Sequence, residues 1–255
     1  MGGGSVMPRF FVDKENILGG KIVISGEDAK HISLSLRARV GEKVTACDGQ
    51  GYDYDCEIED ITKNEVMLSV LEKKMNESEP TLGVTLYQAL VKSDKFDFIV
   101  QKCTELGVAK IVPVVTDRCI SKPDEASLSK KLVRWNKIAK EAAMQSGRGV
   151  VPCVEDACSF DEALERMKNS DVSFVCYETD PHVPIDEIYK SCTGKTSPES
   201  AAFLIGPEGG ISEREAGKTA ERGIPLASLG PRILRTETAP LCVMSSLMLM
   251  SGNMN

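Results

Sequence analysis

Twice near its end the chain runs from an apolar stretch into a Gly/Pro turn. The first is Phe203-Leu204-Ile205-Gly206-Pro207-Glu208-Gly209-Gly210-Ile211-Ser212, and the second is Leu229-Gly230-Pro231-Arg232-Ile233-Leu234-Arg235-Thr236-Glu237-Thr238-Ala239. Short apolar runs bounded by turn residues read as buried strands, and a helical pattern follows each turn. The same alternation holds upstream: Val84–Leu90, a helix carrying Phe96, Ile99, Val100, Cys103 and Leu106 and closed by Gly107, then Ile111–Val115, a helix over 128–143, a helix over 160–167 and Val172–Tyr177. A helix near 212–222, a strand over 225–229 and a helix over about 238–250 complete the pattern. Strands alternating with helices require a mainly parallel sheet covered on both faces. In such sheets ligands sit beyond the carboxyl ends of the strands. Those ends carry Glu178-Thr179-Asp180 after the strand ending at Tyr177, and then the two glycine turns.

The first part of the chain has a different period. Arg9–Val12, Lys21–Ile24, Lys43–Cys47, Tyr52–Ile58 and Val66–Val70 are short, partly alternating runs separated by turn residues, the pattern of a small β-barrel. Between the second and third, Gly26–Ile32 and Leu34–Arg37 read as helical, with Ser25 and Asp28 placed as a capping box. Lys73–Pro80 lacks apolar periodicity and is read as the domain boundary, which divides the chain into 7–75 and 76–255. Residues 1–6 are expected to be a vector-derived leader before a natural start at Met7.

Several function classes are excluded by pattern. The glycines do not follow G-x-G-x-x-G, and neither a G-x-x-x-x-G-K-[ST] loop nor a G-x-S-x-G elbow occurs. Nine scattered cysteines without C-x-x-C spacing, together with only two histidines, give no zinc framework and suit reduced thiols in a cytoplasmic protein. No apolar run approaches the roughly 18 residues of a membrane span. The net charge of −7 disfavours simple nucleic-acid binding, but 118–148 holds eight basic against three acidic residues. Lys122, Lys130, Arg134 and Lys137 belong to that stretch, and the last three are expected on the exposed face of a helix whose other face carries Trp135, Ala139 and Ala142.

Ile205–Ser212 together with Leu229–Ala239 resembles the paired signature of the SPOUT methyltransferases. Within that class the chain is similar to the ribosomal RNA small subunit methyltransferase E family along nearly its whole length. Further resembling blocks are Pro8–Val12, His31 with Leu36-Arg37, Gln88–Leu90 with Lys92 and Lys95, Gln101-Lys102, Thr104–Gly107, and Lys137–Arg148. One departure is Leu34-Ser35-Leu36-Arg37, where the family tends to read Val-Leu-Arg. The resemblance implies a PUA-like β-barrel at the N-terminus that binds RNA. It implies a SPOUT α/β domain with a deep trefoil knot, a homodimer sharing its active sites, and S-adenosylmethionine as cofactor without a metal. The activity implied is methylation of N3 of a uridine in 16S ribosomal RNA within the small ribosomal subunit. A non-catalytic RNA-binding protein on the same fold, and action on another RNA base, remain open.

On that reading the cofactor residues are Tyr177, Glu178, Ile205, Gly206, Glu208, Gly209, Gly210, Leu229, Gly230, Ile233, Leu234, Thr236 and Ala239. Uridine N3 keeps its proton at neutral pH, so transfer needs a base or a cation that stabilises the developing anion. Arg235 is the candidate cation, with pairing to Glu237 or Glu208 as the alternative use of its charge. Glu208 is read either as a base or as a carboxylate accepting loop N–H groups. Thr236 and Thr238 are expected to cap the last helix. Arg9, His31, Arg37, Arg39, Lys92, Lys95, Arg118, Gln145 and Arg148 are the candidate RNA contacts, most of them to phosphates.

Overall fold

The computed structural model describes residues 7–120, 124–179, 182–194 and 197–254. The expected leader, Lys122 and Asp180 lie outside the described residues. The chain divides into two compact units, one formed by residues up to Glu79 with Ala143–Val151, the other by Pro80–Ala142 with the chain from Pro152 onward.

The first unit is a curled six-stranded sheet. Its strands are β1 (Arg9–Phe11), β2 (Ile17–Leu18), β3 (Lys21–Ser25), β4 (Lys43–Cys47), β5 (Tyr52–Ile61) and β6 (Glu65–Met75), in the order β1-β4-β5-β6-β3-β2. All neighbours are antiparallel except β1 and β4. Alternation along β5 buries Tyr54, Cys56 and Ile58 and exposes Glu57 and Glu59, and the inward set joins Phe10, Ile22, Ile24, Val44, Val66 and Leu68 in one core. The stretch read as a linker begins inside β6. Its polar side chains are used across the strands, Lys74 to Asp55 at 2.7 Å and Lys73 over the Tyr52 ring at 4.1 Å.

After β3, α1 (Gly26–Lys30) starts without a side-chain cap from Ser25. It widens into a π-turn over His31–Ser35, and the chain leaves through Arg37 at φ 52°, the sole non-glycine residue with positive φ among the described residues. Glycine-free left-handed backbone of this kind is uncommon.

Two inward arginines organise this unit. Arg9 forks onto Asp53 with both nitrogens at 2.7 Å and also donates to the Arg148 carbonyl at 3.3 Å. Arg148, 4% exposed, donates to both oxygens of Glu79, whose Oε1 also accepts the Gly149 and Val150 N–H groups. Gly149 is required there, because a Cβ would stand 2.6 Å from that of Asn76. Burial alone would raise the Asp53 carboxyl, but Arg9 and then Asn76 outweigh it and hold it below the usual range. With the native value below the unfolded one, the unfolded chain binds the proton more readily. The stabilisation is therefore complete above about pH 4 and is lost as pH falls through the native value. D53N is expected to be less stable than the parent at neutral pH but to lose less between pH 5 and pH 2, which urea melts across that range would measure.

The second unit carries β7 (Gly83–Ala89), β8 (Lys110–Val115), β9 (Cys153–Val154), β10 (Cys158–Ser159), β11 (Val172–Cys176), β12 (Val183–Pro184), β13 (Ser200–Ile205) and β14 (Leu226–Ser228). They form a wholly parallel sheet in the order β10-β8-β7-β13-β11-β14-β12, with β9 also paired to β8. Its helices are α2 (Ser93–Glu105), α3 (Glu125–Ser146), whose last residues belong to the first unit, α4 (Phe160–Met167), α5 (Ile185–Cys192), α6 (Glu213–Glu221) and α7 (Ala239–Met250). Tyr87, Val112, Val175 and Leu204 pack with Phe160, Leu164, Met167 and Ala216 of α4 and α6. Their alternate neighbours Leu86, Ile111, Phe174 and Phe203 point the other way and are equally buried, so both faces are covered. Phe96 of α2 stacks on Trp135 of α3 at 4.0 Å, while Lys130, Arg134 and Lys137 lie on the exposed face of α3 as expected.

The α4 boundaries match the sequence reading, and Gly107 ends α2 at φ 91°. The two-residue strands and α5 were not anticipated. α5 is amphipathic, with Ile188 and Tyr189 buried, but short and without a side-chain cap at Pro184.

Candidate active site

Parallel register aligns the carboxyl ends of four strands. Phe203 pairs with Leu86 and with Phe174, Ile205 with Gln88, and Cys176 with Ala227. Above these ends lies a cavity of about 690 Å³.

The first glycine turn forms one wall. Gly210 N–H donates to Pro207 O at 2.9 Å and closes the turn. Gly210 itself is at φ 70°, and a Cβ on it would collide with the Glu178 carboxylate. The positive φ is what calls for glycine there, since the flexible Glu178 side chain could swing aside from a Cβ. Downstream, Ser212 and Glu215 cap α6 reciprocally, and the other Glu215 oxygen accepts Asp117 N–H at 2.8 Å. Arg118 donates to the carbonyls of Gly209 and Ile211, at 2.9 and 3.2 Å, while Asp117 accepts from Ser212 and Arg214. The turn is therefore held from outside by the segment after β8.

The second turn forms the facing wall. Thr236 Oγ1 donates to Gly206 O at 2.7 Å and accepts from Gln88 Nε2 at 3.2 Å, which ties the two turns to the end of β7. This corrects the expected role of the threonines: Thr236 is a buried tie, and Thr238, at the N-cap of α7, makes no side-chain cap bond. Among the described residues the N–H groups of Ile233 and Leu234, both lining the cavity, donate to no protein group.

The charged residues are distributed unevenly. Lys95, in the first turn of α2, reaches Glu208 at 3.4 Å and Glu237 at 3.2 Å. Its ammonium is raised above its ordinary pKa, first by the bond to Glu237. Burial pushes the Glu237 carboxyl up, but its own N–H, Lys95 and Arg235 prevail and hold it low. Arg235 also lines the cavity, and among the described residues its guanidinium has no hydrogen-bond or ion-pair partner.

Of the expected cofactor residues, Tyr177, Glu178, Ile205, Gly206, Glu208, Gly210, Leu229, Gly230, Ile233, Leu234, Thr236 and Ala239 line this cavity, whereas Gly209 packs against Arg118 instead. Glu208 is held by Lys95 and not by loop N–H groups. Of the expected RNA contacts, His31, Arg37, Arg39, Lys92 and Gln145 are exposed. Arg9 and Arg148 are turned inward onto carboxylates, Arg118 holds the first turn, and Lys95 sits in the cavity. Cys176, His182, Ser228 and Arg232 also line the cavity and were not anticipated. The available signal was positional for Cys176, Ser228 and Arg232, which end or follow β11 and β14 at the carboxyl edge of the sheet, whereas His182 directly precedes β12.

Residues 77–248 match the RNA methyltransferase domain family, and residues 24–71 match the RNA methyltransferase PUA domain. The chain belongs to the RNA methyltransferases of the ribosomal RNA small subunit methyltransferase E type. It is 36% identical to the Bacillus subtilis ribosomal RNA small subunit methyltransferase E over 245 residues, covering 94% of this chain and 96% of the relative. A Synechocystis family member is 29% identical over 239 residues, covering 94% and 76%. Among solved structures, the Neisseria gonorrhoeae ribosomal RNA small subunit methyltransferase E bound to S-adenosyl methionine superposes with a TM-score of 0.85 at 32% identity, covering 96% and 98%. The methyltransferase E family thus accounts for the curled N-terminal sheet as a PUA domain and for the parallel sheet as the methyltransferase domain.

Proposed function

We propose that the chain methylates N3 of a uridine in small-subunit ribosomal RNA, with S-adenosylmethionine as methyl donor, as a cytoplasmic homodimer. The observation that carries this reading is the cavity at the strand ends in which Arg235 stands unpaired among the described residues while Lys95 holds the nearby carboxylates.

The cavity fits the cofactor by its donor set. The unengaged N–H groups of Ile233 and Leu234 suit the edge of an adenine, Ile205 and Leu229 offer apolar walls, and Gly206 and Gly210 keep side chains out of the way. Tyr177, Glu178, Gly230, Thr236 and Ala239 complete the enclosure. Bound there, the cofactor supplies an electrophilic methyl group on a sulfonium. The chain's own residues position the uridine, exclude water, and stabilise the negative charge that develops at O2 and O4 as N3 becomes nucleophilic. Arg235 is the group placed to provide that stabilisation, because its planar fork of donors matches an oxyanion.

A knotted crossing belongs to the same reading. The segment after β14 returns across the ends of β11 and β13 to reach Gln88 through Thr236, and then enters α7 against α2. Pairing of two copies would cover Ile233 and Leu249, which are 87% and 61% exposed. Contacts to RNA phosphates are assigned to Arg37, Arg39, His31, Lys92 and Gln145, all exposed.

The test is transfer of labelled methyl from S-adenosylmethionine to small ribosomal subunits lacking the modification, followed by nucleoside analysis. Label in 3-methyluridine is the expected result. Label in another base would overturn the uridine assignment, and absence of both transfer and cofactor binding would favour a non-catalytic RNA-binding role.

A further inference from the structure

We propose that Lys95 is a positioning residue for Arg235: by engaging Glu208 and Glu237 together, it keeps those carboxylates from capturing the guanidinium and so holds Arg235 open to substrate. The inference rests on the role given to Arg235 above.

Three elements meet at this point. Lys95 comes from the first turn of α2, Glu208 from the turn after β13, and Glu237 from the segment leading into α7. The ammonium lies 3.4 Å from one carboxylate and 3.2 Å from the other, with all three side chains only about a quarter or less exposed, at 26%, 24% and 19%. Arg235 lies two residues from Glu237, lines the same cavity, and is close enough for Glu237 to feel its charge. An exposed arginine this near the partly buried Glu237 carboxylate would ordinarily form the fork that both geometries favour. It does not do so here, because the compact lysine has taken both acids.

The arithmetic of charge makes the same point. Lys95 alone faces both acids, so Lys95, Glu208 and Glu237 together carry one formal negative charge, and the ammonium standing between the two carboxylates keeps them engaged there. The Arg235 guanidinium beside them makes no hydrogen bond or ion pair among the described residues, so its donors are left for the charge that develops on a uridine losing its N3 proton. Remove Lys95 and both acids lose that cation, so the guanidinium would turn to the acids and away from the substrate.

K95M is expected to lower kcat on the order of 10- to 100-fold, as displacement of a catalytic group does, with S-adenosylmethionine affinity by calorimetry little changed. K95R should keep most activity. The decisive variant is K95M/E237Q, which removes the competing acid along with the lysine and is expected to recover most of the lost kcat. A purely structural role for Lys95 would leave the double variant as impaired as K95M, or more so, and that result would overturn the inference. Thermal melts of each variant would establish that they fold. Crystal structures of the parent and K95M supply a readout independent of turnover: an Arg235–Glu237 ion pair is expected in K95M alone. If the parent transfers no methyl to ribosomal RNA yet the ion pair forms in K95M, the functional reading fails and the positioning stands. If the parent is active and the guanidinium does not move in K95M, the positioning fails.

Discussion

Replacing Arg235 with Ala is expected to lower kcat for ribosomal RNA methylation about 10²- to 10³-fold, the usual loss when one preorganised donor to a developing oxyanion is removed. Affinity for S-adenosylmethionine should change little, because the groups assigned above to hold a cofactor, the N–H groups of Ile233 and Leu234 and the walls at Ile205, Gly206, Gly210 and Leu229, do not include the Arg235 side chain. R235K keeps the charge but not the rigid fork and should fall between the two. Single-turnover methyl transfer alongside calorimetric titration separates these quantities. Loss of cofactor binding equal to the loss of rate would show that Arg235 serves the cofactor, and unchanged rates would remove it from the reaction. The guanidinium makes no hydrogen bond or ion pair among the described residues, and Glu237, which feels its charge, keeps Lys95 as a partner, so the deletion should cost little stability.

What could be read from the sequence depended on how local the cause was. The boundaries of α4 were legible from a short apolar stripe contained within a few residues, and the Ser159–Glu162 capping box that starts it, unnamed in the sequence reading, is equally local. The two glycine turns were legible as one site because parallel strands must end on one edge. Arg9 and Arg148 were misread as RNA-facing, since their partners Asp53 and Glu79 lie 44 and 69 residues away and only folding brings them together. Lys95 is the same case within the methyltransferase unit: its α2 position marks it as near the strand ends, but nothing local announces two carboxylates from two later turns. The π-turn at His31–Ser35 and the strained Arg37 are set by how that segment packs on the sheet around Ile32, and not by helix propensity.

Thr236→Val is expected to cost about 2 kcal/mol of stability, because the swap preserves shape while deleting a hydroxyl that is both donor and acceptor in a dry place. Thr236 is 7% exposed and Gln88 is 0% exposed, so neither the Gly206 carbonyl nor the Gln88 amide can turn to bulk water for a replacement. For a chain of this size that corresponds to a fall in melting midpoint of about 5 °C. The consequence for the cavity should be larger than for the fold. Gly206 and the 233–235 segment stand on opposite walls, and the Thr236 hydroxyl is the bond between them. Loosening it adds to the cost of ordering those walls around a ligand, so the rise in midpoint on adding S-adenosylmethionine should shrink in T236V relative to the parent. T236S restores the hydroxyl without the methyl and should recover the ligand-induced rise even if some stability remains lost. A T236V protein that melts and binds as the parent does would mean the tie is dispensable, and the bridge from Lys95 to Glu208 of the first turn and Glu237 of the second would then suffice to hold the two turns together.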